Sequence, residues 1–368
     1  MTSAFNTIRK QTTINLLEIA GCSSDDIRLA QYMMPNTNLT VKVKSIMSPK
    51  FEYNLGAAQG DSLSGKLFTL NLAGALMHVR AVLPSRPNPP IAENSMPIES
   101  EYADDAEFLD ENPDKLKEVY NVSQSILSEW SLFVNDKTTF TRIYLAPKDE
   151  LDKWGKPVKG NETWRNEVLL GTKLGSEEDI INRCNKANTA FHSKYKKLWC
   201  QGSKRTQITE QRKIRLYESL VTSILLYNCC CWAAPQTVLE SVNVLQRKHL
   251  RQILRIFWPN TISNEALYKR CGVTPLTDRI NKARWNMLGH VLRSGNCTPA
   301  YQALRFAAVG CKNMKGRRGH HRTNLFDVIE CDLRLRKLYL QTENDFNNLV
   351  DIAQNRKKWV KLFYSKTN

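Results

Sequence analysis

The chain lacks an export signal and a stretch that is long and apolar enough to span a membrane. Its first ten residues contain no apolar core of signal-peptide length. The uncharged run that includes residues 219–237 contains Thr222, Ser223, Asn228 and Gln236 and falls short of the roughly 20 apolar residues that a span needs. We interpret it as a buried helix. These absences favour a nuclear or cytoplasmic protein with no membrane partner.

Cysteine spacings typical of a disulfide framework or a zinc knuckle are also missing. The ten cysteines include three in succession, Cys229–Cys231, and without an export signal they favour reduced thiols. Three successive cysteines on a helix point about 100° apart and do not converge on one ion. Cys311, His320, His321 and Cys331 are too widely spaced for a compact site. The sequence therefore predicts no zinc site.

Two glycine-loop motifs are incomplete. A glycine-containing loop, residues 56–68, leads into an apolar helix that is expected to reach Val82, but its spacing does not fit a Walker loop, which needs Gly-Lys-Ser/Thr. Gly60-Asp61-Ser62-Leu63 matches the nucleophile block of a class of serine esterases. Those enzymes also need Asp-x-x-His near the C-terminus, and none of the six histidines has an Asp three residues before it. The sequence therefore does not favour a serine esterase.

Positive charge is scarce in the first half of the chain and abundant in the second. Up to residue 180 there are 19 Lys+Arg against 25 Asp+Glu, and beyond it 34 against 11. These halves have net charges of −6 and +23, which together give the net charge of +17. The apolar fraction of 42% is ordinary for a globular protein. An acidic half joined to a strongly basic half indicates chemistry on a polyanion that the basic half holds.

A hairpin with two adjacent aspartates is predicted within residues 99–109. Neighbouring side chains of a strand point to opposite faces, so Asp104 and Asp105 approach one site together only from a turn. Carboxylates there suit Mg²⁺, whose other ligands include substrate phosphates. The alternative is an acidic surface turn, because Asp is a common turn former.

The order of elements from residue 38 predicts an α+β fold close to a split βαβ unit. The expected elements are a strand at 38–46 paired with 51–55, the helix to Val82, the hairpin, a helix at 112–133, and strands at 142–145 and 167–170. Past Gly175 only helices are expected, among them 210–232, 238–257 and 278–293.

The helical half is rich in cations and aromatic rings. The cations named by the pattern are Lys213, Arg215, Arg247, Lys248, Arg251 and Arg255. The rings are Tyr195, Trp199, Trp232, Trp258 and Trp285, which either stack on bases or form the core. The basic loop Lys312–Arg322 either binds phosphates or is a connector. The charge excess favours nucleic-acid contact.

Taken together, these blocks resemble the reverse transcriptase of LINE-class, non-LTR retrotransposons over most of the chain. The blocks that match catalytic parts are Tyr102-Ala103-Asp104-Asp105 (metal hairpin), Gly56-x-x-Gln59-Gly60-Asp61-x-x-Ser64 (pocket), Asn135-x-Lys137-Thr138 (lysine block) and Leu170-Gly171 (primer grip). Three later blocks resemble the family's helical region: residues 226–232, 250–254 and 288–293. Their order and spacing together are specific.

The resemblance implies a partial polymerase palm, a split βαβ-like antiparallel sheet with helices, followed by an all-helical thumb. The implied domains are a palm over residues 1–178, a thumb and basic nucleic-acid-binding region over 179–300, and a basic, helical extension over 301–368. The implied activity is RNA-directed DNA polymerisation by two-metal nucleotidyl transfer. The implied partners are an RNA template, a DNA primer and the hybrid they form, and a dNTP.

The same resemblance implies the site residues. Asp104 and Asp105 would hold Mg²⁺, and Lys137 would assist the departure of pyrophosphate. Gln59, Gly60, Ser64 and Tyr102 would line the nucleotide and template pocket. Leu170 and Gly171 would grip the primer end.

Departures from the family pattern lead to a further expectation. The first metal-binding Asp of the family falls immediately before Met1, Asn6 occupies the place of the second acid, and Gly65 replaces a proline. We therefore expect an incomplete, truncated two-metal site and no polymerisation by this chain alone. One alternative is a non-catalytic nucleic-acid-binding remnant that keeps the basic thumb. Another is a relic that folds poorly.

Overall fold

A computed structural model describes most of the chain as two compact units, residues 1–140 and 141–368. The described residues are 8–33, 38–52, 56, 63–83, 98–103, 105–110, 112–135, 138, 163–200, 208–296, 298–309 and 323–365. No helix within these ranges is long and apolar enough to cross a membrane. The predicted domain boundaries at residues 178 and 300 stay predictions.

The first unit combines four helices with short strands over its described residues. The helices are α1 (Lys10–Ile19), α2 (Ser24–Met33), α3 (Ser64–Val82) and α4 (Pro113–Glu129). The strands are β1 (Asn38–Leu39), β2 (Lys42–Val43), β3 (Ile46–Met47), β4 (Phe51–Glu52), β5 (Glu99–Tyr102) and β6 (Asp105–Phe108).

The second unit is helical apart from one hairpin among the residues described. The hairpin strands are β7 (Val168–Leu169) and β8 (Thr172–Lys173). The α-helices are α5 (Ser176–Thr189), α6 (Lys196–Cys200), α7 (Glu210–Tyr217), α8 (Ser223–Leu225), α9 (Gln236–Ile253), α10 (Asn264–Cys271), α11 (Leu276–Arg293), α12 (Pro299–Val309), α13 (Leu325–Arg334), α14 (Glu343–Gln354) and α15 (Arg356–Tyr364). Two π-helical turns follow α5 and α7, at Ala190–Lys194 and Glu218–Thr222, and Cys229–Cys231 form a 3₁₀ turn.

The predicted α+β class holds in its coarse form, because the described residues are mostly helical with small antiparallel sheets. The described strands form four separate two-stranded ladders, β1–β4, β2–β3, β5–β6 and β7–β8. The assignment to a polymerase palm stays a prediction. The β5–β6 hairpin lies within the predicted residues 99–109. The strand predicted at 167–170 is observed as the shorter Val168–Leu169, and it pairs with Thr172–Lys173.

The strand predicted at residues 38–46 is wrong in extent. Residues 38–39 pair with 51–52 as expected, but Lys42–Val43 pair with Ile46–Met47 through a tight turn. Lys44 adopts a left-handed conformation there, with φ 54°. The alternation of Val and Lys in this segment is not driven by burial, since both faces of these short strands are exposed. The strand predicted at 142–145 lies outside the described residues.

Helix ends in the first unit follow local capping chemistry. Ser23 Oγ accepts a hydrogen bond from the Asp26 N–H at 3.2 Å at the start of α2. Asn112 Oδ1 accepts from the Asp114 N–H at 2.9 Å ahead of α4, and Pro113 occupies the first helical position.

Helix α3 is central to the core of the first unit and packs against both α1 and α4. Its buried apolar residues recur at helical spacing: Leu67, Phe68, Leu72, Ala75, Leu76 and Val79. Towards α1, Asn71 Nδ2 donates to Thr13 Oγ1 at 2.7 Å within the buried interface. Gly74 lets Trp130 approach the helix, because a Cβ at that position would lie 2.9 Å from its ring.

Helix α11 connects two hydrophobic cores of the second unit. Leu276 and Ile280 belong to the core that α5, α7 and α9 share, and Trp285, Leu288 and Leu292 belong to the core formed with α12–α15. In the latter, the Trp285 and Trp359 rings stack with centroids 4.3 Å apart, and each indole N–H donates to the other residue's carbonyl. The tryptophans at 199, 232 and 285 are therefore core residues.

A fully buried histidine lies in the first of these cores. The His249 ring stacks on Phe191 with centroids 4.0 Å apart. Tyr217 OH lies 3.3 Å from Nδ1 and Asn188 Oδ1 lies 3.2 Å from Nε2, which suits a neutral ring that accepts from the tyrosine and donates to the amide. Burial lowers the pKa of His249 to about 3, and the electrostatic effects of the neighbouring His192 and Lys248 act in the same direction.

This pKa predicts a loss of stability in acid. The folded-state pKa of His249 lies below its usual value of 6.5, so the unfolded chain takes up the proton first as the pH falls. The contribution of neutral His249 is complete above pH 6.5 and is lost towards pH 3, with a slope of up to about 1.4 kcal/mol per pH unit. Thermal melts between pH 7.5 and pH 5 measure this dependence of stability on pH. His249→Gln should flatten the slope, whereas Gln at the exposed His290 should leave it unchanged; equal slopes in both variants would contradict this assignment.

Candidate functional site

The β5–β6 hairpin presents two chemically different faces. Its register pairs Glu99 with Phe108, Ser100 with Glu107, Glu101 with Ala106 and Tyr102 with Asp105. Directly opposite residues of an antiparallel pair lie on the same face. One face therefore carries Glu99, Glu101 and Phe108, and the other carries Tyr102, Asp105 and Glu107.

The hairpin tip exposes the residues that the sequence singles out. Tyr102 is 68% exposed, and Asp105, directly opposite, is exposed as well. Ala103 in the connecting turn has φ 55°, a left-handed conformation that suits a tight hairpin turn. Asp104 lies outside the described residues. The structure thus brings Tyr102 and Asp105 together on one exposed face.

A buried ion pair joins α3 to the face of the hairpin that carries Glu99 and Glu101. Arg80, in the last turn of α3, forms ion pairs with Glu99 and with Glu101, the latter at 3.0 Å. The side chains of Arg80 and Glu99 are only 9% and 3% exposed. Sequence reasoning missed Arg80, because the contact joins residues 19 positions apart that share no local pattern.

Two carboxyl groups of the hairpin, those of Glu101 and Glu107, have a raised pKa. Burial raises the pKa of Glu101, and the neighbouring charge of Glu99 adds to this while Arg80 opposes it. On the face that carries Tyr102 and Asp105, burial and the negative charge of Asp105 raise the pKa of Glu107. Negative charge therefore accumulates along the face that carries Asp105, and a cation would relieve it.

Of the four residues predicted to line the pocket, Ser64 and Tyr102 lie within the described residues. Ser64 is buried and begins α3, whereas Arg80 and the hairpin anchor lie at its other end, about 24 Å along the helix axis at 1.5 Å per residue. Gln59, Gly60 and Lys137 lie outside the described residues.

The Leu170-Gly171 turn of the β7–β8 hairpin is braced by side chains from two segments of the second unit. Leu170 and Gly171 have φ of 47° and 76°, so the glycine suits its position. Tyr227 OH donates to the Leu170 carbonyl at 2.9 Å, and Arg183 Nη2 donates to the Gly171 carbonyl at 2.5 Å. The Arg183 guanidinium also lies over the Tyr227 ring, 4.4 Å from its centroid.

Asp179 of α5 contacts the same hairpin and the arginine that binds its turn. Its side chain is fully buried and accepts hydrogen bonds from the Lys173 N–H at 3.0 Å and from Trp232 Nε1 at 2.9 Å. Arg183, one helical turn later, lies 3.6 Å from its carboxylate. The block at residues 226–232 and the turn at 170–171, which were separate in sequence, therefore form one cluster.

Asn228 and the cysteine turn lie beside the same hairpin. Asn228, at φ 55°, donates from Nδ2 to Thr172 Oγ1 at 3.1 Å. A hydrogen bond from the Cys231 thiol lowers the pKa of Cys230 to about 6, although burial opposes the shift. The pKa of Cys231 is raised for the complementary reason, and burial raises that of Cys229 to about 12.

Comparisons with protein-family models, curated proteins and solved structures find no match to this chain. Within the described residues, no three His, Cys, Asp or Glu side chains are grouped closely enough to hold a metal ion. Asp104 is not among those residues.

Removing the Asp179 charge should destabilise the second unit strongly. In Asp179→Asn the new amide N–H₂ group faces one of the N–H groups that donate to the carboxylate in the wild type. Arg183 also loses its buried counter-charge. Together these changes should lower the free energy of unfolding by about 3–5 kcal/mol. Glu177→Gln changes an exposed carboxylate of the same helical turn and should cost less than about 1 kcal/mol. Urea unfolding measures both free energies. Similar values for the two variants would show that the buried carboxylate is not needed.

Proposed function

We propose that the chain is a reverse-transcriptase domain of the non-LTR retrotransposon class, with the β5–β6 hairpin as its metal-binding element. The observation that carries this proposal is the exposed pairing of Tyr102 with Asp105 across the turn that contains Asp104. It gives the aromatic-x-Asp-Asp block the hairpin conformation that a carboxylate site needs. The ordered blocks on both sides supply the family resemblance.

The donor set fits a hard divalent cation. Asp105 offers carboxylate oxygen on an exposed face, and Asp104 precedes it in the chain. Burial, and after it the negative charge of Asp105, raises the pKa of Glu107, and Mg²⁺ would compensate that negative charge. Mg²⁺ would supply Lewis-acid stabilisation of the attacking and leaving oxygens in phosphoryl transfer.

The chain's own residues would position the reactants. The Arg80 ion pairs hold the hairpin against α3, so the exposed carboxylates keep a fixed place while charge builds up on the substrate. The side chain of Tyr102 lies on the same face and offers a flat surface to a nucleotide. In the second unit, the braced Leu170-Gly171 turn would hold the end of a primer, since both of its carbonyls are already fixed by Tyr227 and Arg183.

Primer extension tests the polymerase proposal. The substrate is an oligo(dT) primer on poly(rA) with dTTP and Mg²⁺. The tested protein is the full chain with an Asp added immediately before Met1, where the resemblance expects the first carboxylate, and its matched control carries Asn there. We expect extension with the added Asp and none with Asn. Asp105→Asn should lower the rate by at least about a hundredfold.

Asp25→Asn is the control for charge removal, because Asp25 is exposed in the first turn of α2, and it should keep the full rate. Undiminished extension by Asp105→Asn would contradict the proposal. So would a lack of extension by an Asp-extended chain that melts cooperatively and binds the hybrid.

A second candidate, a non-catalytic nucleic-acid-binding protein, is favoured by the net charge of +23 beyond residue 180. Some basic residues of this half make contacts within the fold, and others are exposed. Arg247 pairs with Glu240 at 2.8 Å, and Arg251 donates to Asn264 Oδ1 at 2.8 Å, so both serve the fold. Arg215 and Lys248 are exposed. Trp258 is 89% exposed, unlike the core tryptophans.

Salt-dependent binding to an RNA–DNA hybrid tests this candidate. Arg215→Gln and Lys248→Gln should each reduce the slope of log K against log salt by up to about 0.9, as measured by fluorescence anisotropy. Lys42→Gln removes an exposed lysine from the acidic unit and should leave the slope unchanged.

Base stacking is tested on single-stranded RNA. Trp258→Ala should weaken the binding free energy by about 1–3 kcal/mol if the ring stacks on a base. No binding at low salt would end the proposal, and binding that Asp105→Asn does not alter would favour it over catalysis.

A further inference from the structure

The 3₁₀ turn after Asn228 presents two thiols and an amide oxygen side by side. Cys229 is buried in the hydrophobic core, whereas Cys230 is half-buried and Cys231 is exposed, and all three are free thiols. Cys230 Sγ and Cys231 Sγ lie 3.9 Å apart. Asn228 Oδ1 lies 3.8 Å from the first sulfur and 3.4 Å from the second. The three donor atoms therefore form a nearly equilateral triangle.

A disulfide between these neighbours would be strained. Consecutive Cα atoms across a trans peptide are about 3.8 Å apart, whereas disulfides usually join Cα atoms about 4.4–6.8 Å apart. Closing the bond would also require the sulfurs to approach to about 2.05 Å. The reduced pair is thus the favoured covalent state, and its spacing suits a bridging ion instead.

We propose that Cys230, Cys231 and Asn228 bind a thiophilic d¹⁰ divalent cation of the zinc and cadmium class. Zn–S bonds of about 2.3 Å and a Zn–O bond of about 2.1 Å at tetrahedral angles separate two sulfurs by about 3.8 Å and a sulfur from the oxygen by about 3.6 Å. The observed edges of 3.9, 3.8 and 3.4 Å match one face of such a tetrahedron. Because Cys231 is exposed, water or an added ligand can complete the fourth position.

This site departs from the sequence prediction of no zinc site for a physical reason. That prediction considered three thiols on an α-helix, and Cys229 indeed packs away in the core. The third donor is the side chain of Asn228, whose left-handed backbone is a conformation that Asn tolerates. An amide oxygen next to a cysteine pair is not a recognised ligand spacing, so the pattern gave no signal.

The cation would act on the braced turn through Asn228. With Oδ1 bound to the ion, Nδ2 keeps its donation to Thr172 Oγ1 at 3.1 Å, so the amide links the ion to the β7–β8 hairpin. Metal binding would hold the Leu170-Gly171 turn more firmly. This inference goes beyond the polymerase proposal and does not depend on it.

Titration of the reduced full chain with Cd²⁺ tests the site, with the ultraviolet sulfur-to-cadmium charge-transfer absorbance as the readout. We expect Cys230→Ser and Cys231→Ser each to weaken the tightest binding step at least tenfold. Cys331→Ser removes an exposed cysteine on α13 and should leave that step unchanged. Zn²⁺ should displace the bound Cd²⁺. Wild-type affinity in either serine variant of the pair would overturn the proposal.

Asn228 provides the sharper test, because its role separates this site from a simple pair of thiols. Asn228→Asp offers a carboxylate in place of the amide oxygen and should tighten Cd²⁺ binding, whereas Asn228→Ala should weaken it. Hydrogen exchange at residues 168–173 should slow on adding Zn²⁺ to the wild type and not to Asn228→Ala. Cadmium affinity that is the same in the Asp and Ala variants would show that Asn228 is no ligand and would overturn the three-donor site.

Discussion

The buried carboxylate of Asp179 is the interaction on which the architecture of the second unit depends. Burying a charge is costly unless its partners compensate for the lost water, and here they come from the β8 backbone, from Trp232 and from Arg183. Those partners join α5, the small hairpin and the segment before α9. The position of Arg183 in turn fixes the Gly171 carbonyl and the Tyr227 ring.

In the first unit, too, buried charged side chains hold a small hairpin against a helix. A two-stranded hairpin is marginal by itself in water, and neither β5–β6 nor β7–β8 is part of a larger sheet among the described strands. Each hairpin is therefore held by buried charges on a neighbouring helix: Arg80 on α3 for β5–β6, and Asp179 with Arg183 on α5 for β7–β8. In both cases described residues of the turn stay exposed: Ala103 in the first hairpin, and Leu170 and Gly171 in the second.

Local chemistry explains what the sequence predicts well. Ser23 and Asn112 mark helix starts because their side chains cap the next turn, and Gly171 marks the turn of the β7–β8 hairpin because its φ of 76° suits glycine. The contacts between distant residues were not predictable, since Arg80 and Glu99 are 19 positions apart and Trp232 and Asp179 are 53 positions apart, and no periodicity connects either pair. Periodicity also misled at residues 38–46, because alternation in an exposed segment does not specify pairing.

The contacts also change what the net charge means for function. Arg80, Arg183 and Arg284 are buried in ion pairs, where the planar guanidinium can satisfy several acceptors at once. Exposed lysines such as Lys248, Lys269 and Lys282 are compact point charges that suit phosphate groups. Arginine is the side chain that most often reads guanine edges, but the three buried arginines are engaged within the fold, whereas the exposed lysines suit contact with the backbone of a nucleic acid. Such contact positions a nucleic acid without selecting its sequence.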